Sequence, residues 1–253
     1  MSRTFLEIRE VSKNFGGLAA VNQVTLDLQA GQLLGLIGPN GSGKTTLFNL
    51  ISGIFPLTSG QILLDGRDIS RLPSHKICKL GLARTFQSPQ LFSSINVIEN
   101  IMVGFHPVTK SDCFIAGLRL PGFKKEEQWM RRRGREILEF LDLGRIGDRE
   151  RVTNLPYGYQ RMLEIGRSLA SSPKVLLLDE PAAGLNDFET KELGKILRKI
   201  RTLDIALILV EHNMGLVMSV SDKIAVLNYG VKIAEGTPSE IQKDESVIQA
   251  YLG

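Results

Sequence analysis

Leu33-Leu34-Gly35-Leu36-Ile37 runs into Gly38-Pro39-Asn40-Gly41-Ser42-Gly43-Lys44-Thr45-Thr46, and that into Leu47-Phe48-Asn49-Leu50-Ile51-Ser52-Gly53. An apolar run feeds a glycine-rich loop, and the loop opens an amphipathic segment closed by a glycine, which reads as strand, loop and helix. Gly38, Gly43, Lys44 and Thr45 hold the fixed positions of the P-loop pattern for nucleotide phosphates. The residue types suit that task. Glycines let successive backbone N–H groups curl inward with no Cβ in the way, and a helix starting near Lys44 adds its free N–H groups and positive dipole end. Lys44 reaches the β- and γ-phosphates as a point charge, and Thr45 offers a hydroxyl to Mg²⁺. The whole loop, including Pro39, Asn40, Gly41, Ser42 and Thr46, is the candidate phosphate cradle.

Away from the loop, the chain of 253 residues has the apolar content and charge of an ordinary globule. A net charge of +4 does not indicate a dominant nucleic-acid role. Cys78 and Cys113 form no CxxC pair, which suits a reducing compartment and argues against a disulfide framework or zinc site. Ser2-Arg3-Thr4-Phe5-Leu6-Glu7 leads into no apolar signal segment. Apolar runs such as Ile205 to Val210 are far shorter than the roughly 20 residues of a membrane span. A membrane role is therefore expected to pass through a partner.

Taken in order, residues 4–30 alternate in short runs (Leu6, Ile8, Val11; Val24, Leu26, Leu28) about a turn at Phe15-Gly16-Gly17. They predict antiparallel strands before the loop. Phe15 is either a stacking surface for adenine or part of the core. Asp65-Gly66 predicts a hairpin. A short helix is expected over Ser74 to Leu80, and a strand over Leu82 to Phe86 that delivers Gln87 at its end. From about 91 to 165 the texture is helical: Val97 to Met102, an irregular stretch at 106–122, and an amphipathic helix over Glu126 to Leu143. In the last, Trp129, Met130, Ile137, Phe140 and Leu141 are expected inward. Arg131, Arg132, Arg133 and Arg135 make either a solvated face or an anion contact. A helix over Tyr159 to Ala170 precedes Val175-Leu176-Leu177-Leu178-Asp179-Glu180, an apolar strand ending in two carboxylates. A helix over Phe188 to Ile200 and a strand over Ile205 to Val210, ending at Glu211-His212, follow. Last come a hairpin about Asn228-Tyr229-Gly230 and a capped helix from Thr237-Pro238-Ser239-Glu240.

Apolar strands alternating with helices predict a parallel sheet covered on both faces, and ligands bind at the carboxyl ends of such strands. Topology alone thus gathers Lys44, Thr45, Gln87, Asp179, Glu180 and His212 at one rim. Asp179 can hold Mg²⁺ directly or through water. Glu180, one residue on, faces elsewhere and can align a water against the γ-phosphate. Two adjacent carboxylates after an apolar run are costly to bury without a cation.

With these motifs in place, the chain resembles the ATP-binding subunits of ABC transporters over essentially its whole length. Gly38 to Thr45 matches the Walker A motif, Gln87 the Q-loop, Val175 to Asp179 the Walker B motif and Glu180 the catalytic glutamate. Pro181 to Asn186 matches the D-loop region and His212 the switch histidine, while Phe15 falls at the adenine-stacking position. Within the family it is most similar to the LivG type of branched-chain amino acid importers. The stretches that carry this are Ala83 to Gln87, the 102–130 insertion, Pro181 to Asn186, and Val247 to Gly253. One motif departs: the signature LSGGQ appears as Leu155-Pro156-Tyr157-Gly158-Tyr159-Gln160-Arg161. Pro156 has neither hydroxyl nor N–H, but Gly158 and the helix N-terminus after it remain to face nucleotide. Asn186 stands where the D-loop has aspartate.

The resemblance implies one α/β domain over 1–253, a P-loop NTPase of ABC type. Its mostly parallel core (1–87 and 166–253) carries an N-terminal antiparallel β part, and its helical subdomain covers 88–165. It also implies ATP and Mg²⁺ as cofactors, with Thr45, Gln87 and Asp179 toward the metal and Glu180, His212 and Gln87 toward catalysis. Two such subunits, identical or homologous, sandwich ATP. The pair works with integral membrane permease subunits, indirectly with a solute-binding protein, and without nucleic acid. The place is the cytoplasmic face of the cell membrane, peripherally. The alternatives are an ABC ATPase for urea, amides or lipid, a soluble ABC-type ATPase on ribosomes or nucleic acid, and a non-hydrolysing regulatory subunit suggested by Pro156 and Tyr159.

Overall fold

The computed structural model describes residues 3–109 and 121–252. Residues 110–120, with Cys113 and Gly117, and Gly253 lie outside the described residues. Pro121 and Gly122, read as irregular, open a helix instead. The chain forms two compact units, one of residues 1–87 with 174–253 and one of residues 88–173.

The first unit runs β1 (Thr4–Phe15), β2 (Leu18–Gln29), β3 (Leu33–Ile37), α1 (Lys44–Ile51), β4 (Ser59–Leu64), β5 (Arg67–Asp68), α2 (Ser74–Lys79) and β6 (Leu82–Arg84). The second unit supplies α3 (Val97–Val103), α4 (Pro121–Phe140) and α5 (Tyr157–Ala170). The first then resumes with β7 (Val175–Asp179), α6 (Asp187–Arg201), β8 (Ala206–Val210), α7 (Met214–Val220), β9 (Lys223–Asn228), β10 (Val231–Gly236), α8 (Pro238–Ile241) and α9 (Glu245–Leu252).

Two sheets build the first unit. One is antiparallel in the order β2-β1-β4-β5; the other runs β10-β9-β3-β8-β7-β6, parallel except for β10. Every residue of β3, β7 and β8 is buried, as expected for strands covered on both faces. Each fully buried leucine or valine there contributes about 1.5–3 kcal/mol. Side chains alternate between the faces. Leu34, Leu36, Leu177, Ile208 and Val210 join Leu47, Phe48 and Ile51 of α1 and the inner face of the antiparallel sheet (Leu6, Ile8, Leu26, Ile62) in one core. On the opposite face α7 approaches closely: a Cβ on Gly35 would lie 2.8 Å from both Val217 Cγ1 and Ser221 Oγ.

Register fixes where the sheet ends. Val210 is opposite both Leu36 and Asp179, so β3, β8 and β7 stop at one level. The next residues out are Ile37-Gly38, Glu211-His212 and Glu180. At the sheet edge β6 stops at Arg84, earlier than the expected Phe86; Thr85 N–H still reaches Leu177 O at 2.9 Å before the chain leaves.

In the second unit, Val97, Ile98, Ile101, Leu138, Leu141, Leu163 and Ile165 form the buried seam among α3, α4 and α5. Asn96 and Glu99 close a capping box on α3. Trp129, expected inward, is 38% exposed, its ring tilted 5.2 Å from that of Phe105. Arg131 and Arg135 lean on Asp148, and Arg133 pairs with Glu136. The boundary expected at 165/166 falls inside α5, which runs on to Ala170; the units part at 173/174.

Candidate functional site

The glycine loop after β3 reaches its helix through Gly43, whose φ of 103° suits glycine alone. A Cβ there would lie 2.5 Å from Ala20 O. Leu47 N–H closes the first turn on Gly43 O at 2.8 Å, leaving the first N–H groups of α1 facing outward. The loop is braced by the β9–β10 turn. Tyr229 and Gly230 have φ of 46° and 80°, the two positive values that a type I′ hairpin requires. Gly230 N–H donates to Ser42 O at 3.0 Å and its carbonyl accepts from Asn22 N–H at 2.8 Å.

Lys44 is 7% exposed. Its ammonium donates to Gly38 O at 2.7 Å and Pro39 O at 2.9 Å, folded back on the carbonyls of its own loop. Burial pushes its pKa down, while the carboxylates of Glu180 and Asp179 pull it up. A desolvated cation of this kind favours a polyanion beside it.

A cavity of about 450 Å³ opens over the loop. Asn40, Gly41, Ser42, Gly43, Lys44, Thr45 and Thr46 form its floor, and Phe15, Glu180, His212, Tyr229 and Gly230 stand around it. Phe15 is 44% exposed and meets Phe55 edge-on at 5.5 Å, so it serves packing and cavity wall together.

Glu180 sits at φ 48°, a left-handed conformation uncommon for a non-glycine residue, and its N–H donates to Val210 O at 2.9 Å. Its carboxylate and that of Asp179 meet different partners. Gln87 Nε2 donates to Glu180 Oε2 at 2.9 Å, and His212 Nε2 lies 3.3 Å from Oε1. Two side chains, from beyond the ends of β6 and β8, thus converge on the carboxylate that follows β7. Asp179, by contrast, is 6% exposed and held elsewhere: Arg84 Nη2 donates to its Oδ2 at 2.8 Å. Gly38, Pro39, Gln87 and Asp179 do not line the cavity. Gly158 belongs to the other unit, buried in the first turn of α5, whose N-cap Pro156 provides no side-chain hydrogen bond.

Among the described residues no group of three or more His, Cys, Asp or Glu side chains could hold a metal. The Thr45 hydroxyl and the Asp179 carboxylate are hard oxygen donors, few in number. That fits Mg²⁺, which keeps waters and takes substrate phosphates rather than a full protein cage.

Sequence reasoning passed over Arg84, Glu211 and Tyr229. Glu211 is 4% exposed and accepts N–H from Ala182 at 2.5 Å, His212 at 3.0 Å and Asn213 at 3.3 Å. It ties the chain after Glu180 to the chain bearing His212. A carboxylate directly after the apolar strand Ala206–Val210 was the available signal.

Known proteins are similar to this chain in sequence and fold. The family model described as ABC transporter matches residues 21–183, and one described as branched-chain amino acid ATP-binding cassette transporter matches residues 231–253. The chain is 44% identical to the high-affinity branched-chain amino acid transport ATP-binding protein BraF of Pseudomonas aeruginosa, covering 100% of this chain and 99% of that one. It is 43% identical to the protein LivG of the same description from Salmonella typhimurium, at the same coverage. A crystal structure of the ADP conformation of an ATP-binding cassette of an ABC transporter superposes with a TM-score of 0.85 at 30% identity, covering 99% of each chain.

Proposed function

The chain belongs to the ATP-binding subunits of ABC transporters, and from that membership we propose that it powers the import of branched-chain or related amino acids. The solute reading is supported by full-length identity to BraF and LivG and by the family match over residues 231–253.

The site residues take roles accordingly. Phe15 stacks on adenine, and the loop from Gly38 to Thr46 cradles the phosphates. Thr45, Gln87 and Asp179 would hold Mg²⁺, which would supply positive charge against the phosphates. Glu180 polarises the attacking water while Gln87 and His212 sense the γ-phosphate. Gly158 and the α5 N-terminus face the nucleotide of a second ATPase subunit, identical or homologous. Integral membrane permease subunits receive the motion, and a solute-binding protein delivers the solute. No described helix is long and apolar enough to cross a membrane; attachment at the cytoplasmic face through the permease is the corresponding proposal.

The observation that carries the ATPase reading is Glu180, gripped by Gln87 and His212 at the lip of the Lys44 cavity. Glu180→Gln is expected to bind ATP within a few-fold of wild type while turnover in the assembled transporter falls about 10²–10⁴-fold. Phosphate release and nucleotide titration measure the two; near-normal turnover overturns the role of Glu180. Uptake of labelled leucine, isoleucine and valine, against urea and short amides, by membranes carrying the complex tests the solute.

A further inference from the structure

We propose that Arg84 is a positioning residue for the divalent cation that accompanies the nucleotide; the inference rests on the assignment of Thr45 and Asp179 to that cation. Arg84 ends β6, and its side chain is 7% exposed. Its guanidinium makes three directed contacts. Nη2 donates to Asp179 Oδ2 at 2.8 Å, and Nη1 donates to Asn49 Oδ1 at 2.7 Å and to Ser52 Oγ at 3.1 Å. Its carbon lies 5.5 Å from the centroid of the Phe48 ring and 5.3 Å from that of Phe86.

One planar cation therefore spans two elements. Asn49 and Ser52 belong to the helix α1 and its C-cap, the helix that also carries Thr45, one turn before Asn49. Asp179 ends β7. The two oxygens assigned to the cation come from these two elements, and Arg84 holds the elements at a fixed spacing. Its contact takes one oxygen of Asp179 and thereby sets the direction of the other. It also supplies the positive charge that a carboxylate with so little exposure needs when no metal is bound. The fork geometry matters: an ammonium is a point charge and cannot bond both sides from one rigid plane. Outer residues that orient metal ligands act on metal affinity rather than on the chemistry directly.

Two substitutions test this in the full chain. Arg84→Lys keeps the charge and loses the fork. Asn49→Ala removes the shorter of the two α1-side bonds and keeps those to Ser52 and Asp179, so it serves if Arg84→Lys fails to fold. ATP binding is measured by calorimetry in EDTA and then across a Mg²⁺ titration, with thermal unfolding alongside. In EDTA both variants are expected within about threefold of wild type, while the Mg²⁺ concentration for half-maximal gain in ATP affinity rises about 10-fold. A lowered unfolding temperature with an unchanged Mg²⁺ midpoint overturns the inference and leaves Arg84 a structural ion pair. If the wild type binds no ATP with or without Mg²⁺, the functional reading falls and takes the inference with it.

Discussion

Glu211 shows how a single buried group ties the chain after Glu180 to the chain bearing His212. Burial pushes its carboxyl above the ordinary value of 4.5, against the pull of the backbone N–H groups of Ala182, Asn213 and His212. A carboxyl whose pKa is raised on folding binds more protons folded than unfolded. Its contribution to stability is complete below the unfolded value and is lost as pH rises through the folded one. Glu211→Gln cannot ionise, so it should escape that loss. We expect wild type to lose stability relative to Glu211→Gln as pH rises from the ordinary carboxylate value, read from denaturant midpoints at successive pH. A constant difference up to about pH 8 would contradict the raised value. The residues whose signal is a pattern, such as Gly43 and Lys44, were legible in the sequence. Arg84 was not, and Glu211 only as a carboxylate at a strand end, because their meaning lies in partners far along the chain: Asn49 and Asp179 for the one, Ala182 for the other.

Helix α6 is capped by Asn186, at the place where the resemblance leads one to expect aspartate. Its side chain accepts Glu189 N–H at 2.9 Å, and Glu189 returns a bond to Asn186 N–H at 3.0 Å, a reciprocal box. Aspartate caps as well as asparagine, so Asn186→Asp should leave unfolding free energy within a few tenths of a kcal/mol. Asn186→Ala should cost about 1 kcal/mol, measured by urea unfolding. Equal losses in both would mean that the side chain acts by something other than capping. Capping, periodicity and turn signals made most elements legible, down to the Asp65-Gly66 hairpin and the box at Thr237. The strands β1 and β2 were read only as short runs. They are interrupted by register shifts, with Glu10 and Gln23 at φ 48° and 49°, so the two-residue alternation breaks and restarts. The N–H groups freed there are taken by side chains, Glu10's by Thr25 Oγ1 and Gln23's by Ser12 Oγ. Trp129 misled because an amphipathic pattern marks a face but not its edges, and the indole sits on an edge.

For the molecule as a whole, the cradle and Glu180 lie in one unit and Gly158 in the other. In the proposed sandwich of two subunits, the second unit of one chain would lie over the cradle of its partner, so nucleotide should act as the glue. Pairing driven this way depends on differential affinity: ATP has to prefer the closed pair over the separate chains. Moving a population from 1:99 to 99:1 takes about 5.5 kcal/mol of such preference. Hydrolysis drains it, so the pair should persist where turnover is blocked. Glu180→Gln with ATP and Mg²⁺ is therefore expected to double in mass by light scattering, alone or with a homologous ATPase chain. The same variant carrying Lys44→Ala should stay single, because the cradle has lost its cation. Pro156 enters here as well. It offers no hydroxyl on the face that the proposed partner would present but leaves the N-terminus of α5, whose dipole favours phosphate. Pro156→Ser in the Glu180→Gln background should therefore pair at lower ATP concentration, by about threefold to tenfold if one hydrogen bond of ordinary net strength is regained. An unchanged midpoint would show that the helix terminus alone makes the contact.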